Sequence, residues 1–269
     1  MLQTKNMSCE VERICEFIRE QVGNAIADGV VIGISGGIDS ALVAKLCVKA
    51  LAKDKVHGLI MPYQDQSTKD SELVIKSARI PNRYVNMINI EEPVYSVIKL
   101  LPFDSDSDVL IDINNDFVIP GNVRARMRMI MLYAYANKYN LLVAGTGNCS
   151  EHMVGYFTKY GDGGTDFEPI SHLYKTEVWA MAKYLKLPKK IINKTPSAEL
   201  WDGQTDEKEL GITYKELDRI LDYIDEENIY KSIAGDLKIS QSKVSKVLML
   251  ISKSAHKREV PPGLRRYNY

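Results

Sequence analysis

The chain has 269 residues, 45% of them hydrophobic, and 35 Lys and Arg balance 35 Asp and Glu, so its formal net charge is zero. Such a balance excludes a nucleic acid or an anionic membrane held through bulk charge, and it makes any basic site local. Four cysteines without Cys-x-x-Cys spacing, no basic-then-apolar leader, and no apolar run near the roughly 20 residues that span a bilayer predict a reduced, cytoplasmic, non-membrane protein.

Ser8 is expected to cap a first helix whose apolar positions Val11, Ile14, Cys15, Ile18, Val22 and Ile26 recur at helical spacing, ending at Gly29. Cys9, Cys15 and Cys47 fall in predicted helices and read as small buried hydrophobes. From Val30 an apolar run breaks into Ser35-Gly36-Gly37-Ile38-Asp39-Ser40, which reads as strand, phosphate loop and the start of a helix to Ala50. Two glycines let the backbone approach a ligand, and the helix start aims unpaired N–H groups at an anion. Ser35 and Ser40 add hydroxyl donors, whereas the Asp39 carboxylate repels phosphate unless a divalent cation stands between them, which implies magnesium.

Two other readings of this stretch are weaker. Gly33-Ile34-Ser35-Gly36-Gly37 also fits the nucleophile elbow of serine hydrolases, but only one helix precedes it and no His-Gly-Gly motif follows. The Walker Gly-Lys pair and any Gly-x-Gly-x-x-Gly are missing, which removes support for ordinary kinases and Rossmann dehydrogenases.

A strand at Val56 to Met61, a helix near Ser67 to Arg79 and a strand around Tyr84 to Ile90 continue the alternation, predicting an α/β fold: a doubly wound parallel sheet flanked by helices. Residues 102 to 120 carry Asp104, Asp106, Asp108, Asp112 and Asp116 but Val109 and Asn115 where a calcium loop needs glycine and glutamate, so a solvated surface loop is expected. Pro120 and Gly121 open a helix to about Lys138. From Asn122 to Lys138 it is apolar on nearly every side after Arg124, Arg126 and Arg128, so it should be buried both by its own sheet and by a second copy, predicting a homodimer.

Leu141 to Ala144 reads as the next buried strand, delivering Gly145-Thr146-Gly147-Asn148 at its C-terminal end and bringing Glu151 beside Asp39. The run Gly155 to Gly164 is too rich in glycine and aromatic residues for a regular element; Tyr156 and Phe157 either stack on a pyridine ring or pack in the core. Lys175 at a helix start opposes the helix dipole, which suggests that it serves a ligand's phosphate. Thr195 to Gly211 is loop-like, and helices at Tyr214 to Glu226 and Gln241 to Lys253 form a helical C-terminal extension of about 205–269. Ile233 to Ser245 mimics a helix-turn-helix with Lys243, Lys246, Lys253, Lys257 and Arg258 nearby, but the neutral chain argues against a nucleic-acid partner.

The Ser-Gly-Gly-x-Asp-Ser loop resembles that of ATP pyrophosphatases, which activate a substrate as its adenylate. Together with Gly145-Thr146-Gly147-Asn148, Ser150-Glu151, the run Gly155 to Gly164, Pro196 to Trp201 and Gly203 to Glu207, it makes nearly the whole chain resemble ammonia-dependent NAD synthetase. The resemblance implies a single domain over 1–269. It also implies a reaction in which the carboxylate of deamido-NAD attacks the α-phosphorus of ATP and ammonia then displaces AMP. Gly33, Ile34, Ser35, Gly36, Gly37, Ile38, Asp39 and Ser40, with Thr146, Lys175 and Ser197, would contact ATP; Asp39 and Glu151 would hold magnesium. Arg124, Lys159, Asp166, His256 and Lys257 would contact deamido-NAD, which requires the tail to fold over the substrate, and Asp39, Glu151, Lys175 and Asp166 would be catalytic. No Cys/His/Glu amidase constellation is visible, so free ammonia is the expected donor. Cys149 stands where lysine is common in this family, and without an activating partner its thiol is expected to be inert.

Overall fold

Four parallel strands, β1 (Gly29–Gly33), β2 (Val56–Ile60), β3 (Val85–Met87) and β4 (Leu141–Val143), form one sheet in the order β3-β2-β1-β4. The computed structural model describes residues 6–100, 118–197, 203–225 and 233–264; the acidic stretch 104–116 and residues 198–202 lie outside them. The helices, in chain order, are α1 (Met7–Asn24), α2 (Ile38–Leu51), α3 (Lys69–Ala78), α4 (Glu91–Lys99), α5 (Val118–Tyr139), α6 (Cys149–Val154) and α7 (Lys175–Tyr184). There follow α8 (Lys189–Ile192), α9 (Asp206–Leu210), α10 (Tyr214–Asp225), α11 (Ile233–Leu237), α12 (Gln241–Lys253) and α13 (Ala255–Arg258).

The central strand explains the layering. Val30, Val31 and Ile32 are all fully buried, as expected of a parallel strand covered on both faces. Because side chains alternate, Val30 and Ile32 join a core with α1, α2, α3 and α7, while Val31 joins a second core with α4, α5 and β4. Helices on both faces make this a doubly wound sheet. A third apolar cluster forms within the helical extension, where Tyr214, Leu217, Ile220 and Leu221 of α10 meet Val244 and Val247 of α12 and Val154 of α6. It is through this cluster that the extension reaches the elements carrying Glu151 and Lys175.

The structure departs from the sequence reading at several points, among them α9 (Asp206–Leu210), which lies inside the stretch Thr195 to Gly211 read as loop, and α5, which reaches back to Val118 rather than opening at Pro120. Asn6, not Ser8, caps α1, its side chain accepting from Ser8 N at 3.1 Å. The helix stops at Asn24, because Ile26 takes a left-handed φ of 53° and is 84% exposed rather than part of the apolar stripe. Cys9 is exposed, since it falls on the outer face of α1, while Cys15 and Cys47 are buried as expected. Finally, α4 and α6 are helices where the sequence reading saw only a strand's end and a loop; both are short, at 9 and 6 residues, which leaves periodicity little to register.

Candidate active site

In the order β3-β2-β1-β4 the direction of winding reverses between β1 and β4, and the crevice beyond their C-terminal ends is where such sheets bind ligands. The loop after β1 is set by glycine. Gly36 has φ +78°, and a Cβ there would lie 2.8 Å from Asp70 Cβ and 2.9 Å from Ser71 N, so only glycine lets the loop pack on the start of α3. Inside the loop Gly37 N donates to Ser35 Oγ at 3.2 Å and Ser40 Oγ donates to the Gly37 carbonyl at 3.1 Å. These bonds fix both hydroxyls at the mouth of α2.

The loop after β4 ends in Asn148, whose one side chain makes two joins. Its Oδ1 accepts from Glu151 N at 3.0 Å, capping α6, and its Nδ2 donates to Asp39 Oδ1 at 3.0 Å. The capped helix thus carries Glu151 to Asp39, and Lys175 lies between them. Lys175 is 2% exposed and donates to Asp39 Oδ2 at 2.7 Å and to Glu151 Oε1 at 2.9 Å. The start of α7 is itself held by the extension: Asp218 accepts from Ser150 Oγ at 2.5 Å and from Thr176 N at 2.8 Å, and Ser150 Oγ accepts from Lys175 N at 2.9 Å. A lysine at this helix start is therefore matched by a carboxylate at the same end, and it serves the Asp39–Glu151 pair here.

Electrostatics follow from burial. Burial pushes the Glu151 carboxyl up to about 7, against the pull of Lys175, and the Asp39 charge adds to the rise. Burial also opposes the Lys175 charge, but the two carboxylates outweigh it and hold the ammonium above its ordinary range. Cys149 is pushed up to about 11 by burial, with Asp218 next, so its thiol stays protonated and inert.

A cavity of about 490 Å³ opens over this cluster. Its walls include Gly33, Ile34, Ser35, Gly37, Ile38, Asp39 and Ser40, with Thr146, Glu151, Lys175, Ser197 and Lys257; Gly36 instead packs against α3. Tyr156 and Phe157 also line it, the Phe157 ring stacked on His152 at 5.0 Å and the Tyr156 hydroxyl donating to Glu209 Oε2 at 3.1 Å. Lys257 donates to the Gly155 and Phe157 carbonyls, both at 2.7 Å, so α13 does fold back over the glycine-aromatic run.

The remaining expected substrate residues do not reach this cavity within one chain. The Arg124 guanidinium lies 3.7 Å over the Tyr63 ring, and Lys159 donates to the carbonyl of the exposed His256. Asp166 accepts from Val143 N at 2.7 Å and from Tyr133 OH at 3.1 Å, bracing β4. Sequence reasoning missed Asn148 and Tyr214. An asparagine before a short acidic turn is a capping signal, whereas nothing local marks Tyr214, fully buried with its hydroxyl 2.9 Å from Asp206 Oδ2.

Asp39 and Glu151 present hard carboxylate oxygens, and no group of three or more His, Cys, Asp or Glu among the described residues could hold a metal. That donor set fits magnesium, which takes one or two carboxylates and completes its shell with water and substrate phosphate.

A glycine loop at the switch point of a parallel sheet, with a buried carboxylate–ammonium cluster at its mouth, defines an α/β nucleotide-binding enzyme. Residues 10–261 match the NAD synthase family, and the chain belongs to that family. It is 50% identical over 255 residues to the NH(3)-dependent NAD(+) synthetase of Pyrococcus horikoshii, covering 94% of this chain and 93% of that one. The enzyme of the same description from Methanocaldococcus jannaschii is 46% identical over 262 residues, covering 97% and 98%. Among solved structures, the NH3-dependent NAD synthetase of Campylobacter jejuni has a TM-score of 0.77 at 32% identity, covering 97% of this chain and 100% of that one. The NMN synthetase of Francisella tularensis has a TM-score of 0.80 at 34% identity, covering 98% and 99%.

Proposed function

We propose that this chain joins ammonia to the nicotinate carboxylate of deamido-NAD at the expense of ATP, giving NAD, AMP and pyrophosphate. The carrying observation is the Asp39–Lys175–Glu151 cluster at the mouth of the Ser35–Ser40 loop, which puts charge of both signs where a triphosphate would be cleaved. In the first step a carboxylate oxygen bonds to the α-phosphorus and the bond to the β-phosphate bridge breaks, releasing pyrophosphate. In the second, the nitrogen of ammonia bonds to the acyl carbon, the acyl–oxygen bond breaks, AMP leaves and a proton is released. The loop amides with Ser35 and Ser40 hold the departing pyrophosphate, Thr146 and Ser197 border the nucleotide, and Lys175 is the cation nearest the reacting phosphate. Asp39 and Glu151 would hold magnesium, which neutralises charge developing on the phosphoryl oxygens.

The working unit is a homodimer in this reading. On α5, Arg126, Ile130, Ala134 and Asn137 form one exposed stripe, and Ile130 alone is 50% exposed. A two-fold contact on this face would place Arg124, Lys159, Asp166 and the His256 segment at the edge of a shared site, accounting for their distance from the cavity in one chain. Free thiols at all four cysteines fit a reducing, cytoplasmic setting. The likeness to an NMN synthetase supports a second reading, in which the acid substrate is the mononucleotide; the higher identity to NAD synthetases favours the dinucleotide. Incubation with ATP, magnesium, ammonium and either acid decides. NAD with equimolar AMP and pyrophosphate supports the first reading, nicotinamide mononucleotide alone supports the second, and ADP with phosphate overturns both.

A further inference from the structure

Asp218 of α10 is 4% exposed, yet it touches the chain beside two members of the reactive cluster. Its Oδ1 accepts from Ser150 Oγ, the neighbour of Glu151, at 2.5 Å, and its Oδ2 accepts from Thr176 N, the neighbour of Lys175, at 2.8 Å. Ser150 Oγ in turn accepts from Lys175 N at 2.9 Å, so one hydroxyl ties the starts of α6 and α7 together. One turn earlier on the same face of α10, Tyr214 sets its ring 5.1 Å from the Lys175 ammonium.

Neither helix start needs Asp218 as a cap. Asn148 already accepts from Glu151 N in α6, and Glu177 Oε2 accepts from Tyr174 N at 2.9 Å where α7 begins. Both hydrogen-bond donors to Asp218 are neutral groups, and burial pushes its carboxyl above the ordinary range despite them. A buried carboxylate bonded by neutral donors is a poor source of stability, so its place is better explained by what it holds. We propose that Asp218 is a positioning residue for adenylation, fixing through Ser150 and the start of α7 the separation of Lys175 and Glu151 around the reacting phosphate. The assignment rests on the amidation reading above.

ATP–pyrophosphate exchange with the acid substrate and no ammonium reads adenylation by itself. Asp218→Asn turns one oxygen into an N–H donor, which breaks one of the two bonds without changing the size of the side chain. The exchange rate constant at saturation should fall about 10- to 100-fold, the upper end being that of a misplacement of about 1 Å, while the KM for ATP stays within about threefold. Ser150→Ala should lose a similar factor, and the double variant should lie within about threefold of the slower single one, since both cut the same link. Tyr223→Phe removes the bond from α10 to Asp236 of α11 without touching α7, and should leave exchange unchanged. Wild-type exchange in Asp218→Asn, single effects that multiply in the double variant, a loss carried by the KM for ATP, or an equal loss in Tyr223→Phe would each overturn the assignment. If Asp218→Asn does not fold, Ser150→Ala decides, and a wild-type rate there overturns the proposal. A wild-type protein without exchange overturns the amidation reading and this assignment together.

Discussion

Replacing Lys175 with methionine keeps the buried stem and removes only the charge. The ammonium lies 2.7 Å from Asp39 and 2.9 Å from Glu151, whose side chains are each 17% exposed, so both carboxylates lose their counter-ion where water reaches them poorly. Removing one member of a buried ion pair costs about 3–5 kcal/mol. At about 2–4 °C per kcal/mol for a chain of this size, the melting temperature of Lys175→Met should fall by roughly 6 to 20 °C in EDTA. Part of that cost is relieved if Glu151 takes up a proton, which burial already favours by holding its carboxyl at about 7, above the ordinary 4.5. A raised folded-state value stabilises below the unfolded value and loses that contribution as pH rises through the folded one. Without Lys175 the folded value rises further, so the gap between mutant and wild type should widen from acidic to alkaline pH. Magnesium should raise the mutant's melting temperature more than the wild type's, because the freed carboxylates can bind it without displacing an ammonium. Thermal melts followed by circular dichroism across pH, with EDTA or magnesium, supply the readings. A mutant that melts within about 2 °C of wild type at alkaline pH would refute the reasoning, since a change that small is about 1 kcal/mol or less.

Asp39→Asn and Glu151→Gln should each nearly abolish pyrophosphate release yet leave the far-ultraviolet spectrum unchanged; normal turnover in either at saturating magnesium would remove them from the site. Ile130→Asp, on the exposed stripe of α5, should convert a sedimenting dimer to monomer and weaken substrate binding, whereas a wild-type monomer fully active at nanomolar concentration would leave the dimer without support. His152 is held above its ordinary 6.5 chiefly by its hydrogen bond to Glu168, although burial opposes this. Its contribution is therefore present at acidic pH and lost as pH rises through the folded value, so Glu168→Gln should lower the melting temperature below neutrality and leave it nearly unchanged in alkali.

The alternation of strands and helices and the phosphate loop were legible because each is a local pattern with one dominant physical cause, and the approach of Glu151 to Asp39 followed from the rule that loops at the C-terminal edge of a parallel sheet face one crevice. The bounds of α12 were read to the residue, from Gln241 to Lys253, since its apolar positions hold helical period over 13 residues. What escaped depends on partners remote in sequence. The role of Lys175 could not be read from its place at a helix start, because Asp39 lies 136 residues earlier in the chain. Asp218 reaches the start of α7 across 42 residues, and Tyr214 meets Glu151 across 63. Nor could a stripe on α5 say how far Arg124 stands from the cavity, which depends on where Tyr63 holds its guanidinium.

The fold-back of α13 bears on when this protein becomes competent during its own synthesis. Gly155 has φ +70°, and a Cβ on it would lie 2.1 Å from Ser254 Cβ, so the glycine-aromatic run and the later segment are shaped against each other. Lys257 closes the Gly155 carbonyl from 102 residues downstream, and Arg258 reaches the Met153 carbonyl from 105. The sheet, the phosphate loop and the Asp39–Glu151–Lys175 cluster are all translated before that segment emerges, and domains tend to organise from the N-terminal side as they are made. A nascent chain halted between Lys175 and Ser254 would carry the nucleotide loop with one wall of the cavity still unbraced. Ribosome-bound intermediates would then be able to engage phosphate before they could shape the surface around Tyr156 and Phe157, which orders the assembly of the two half-sites in time.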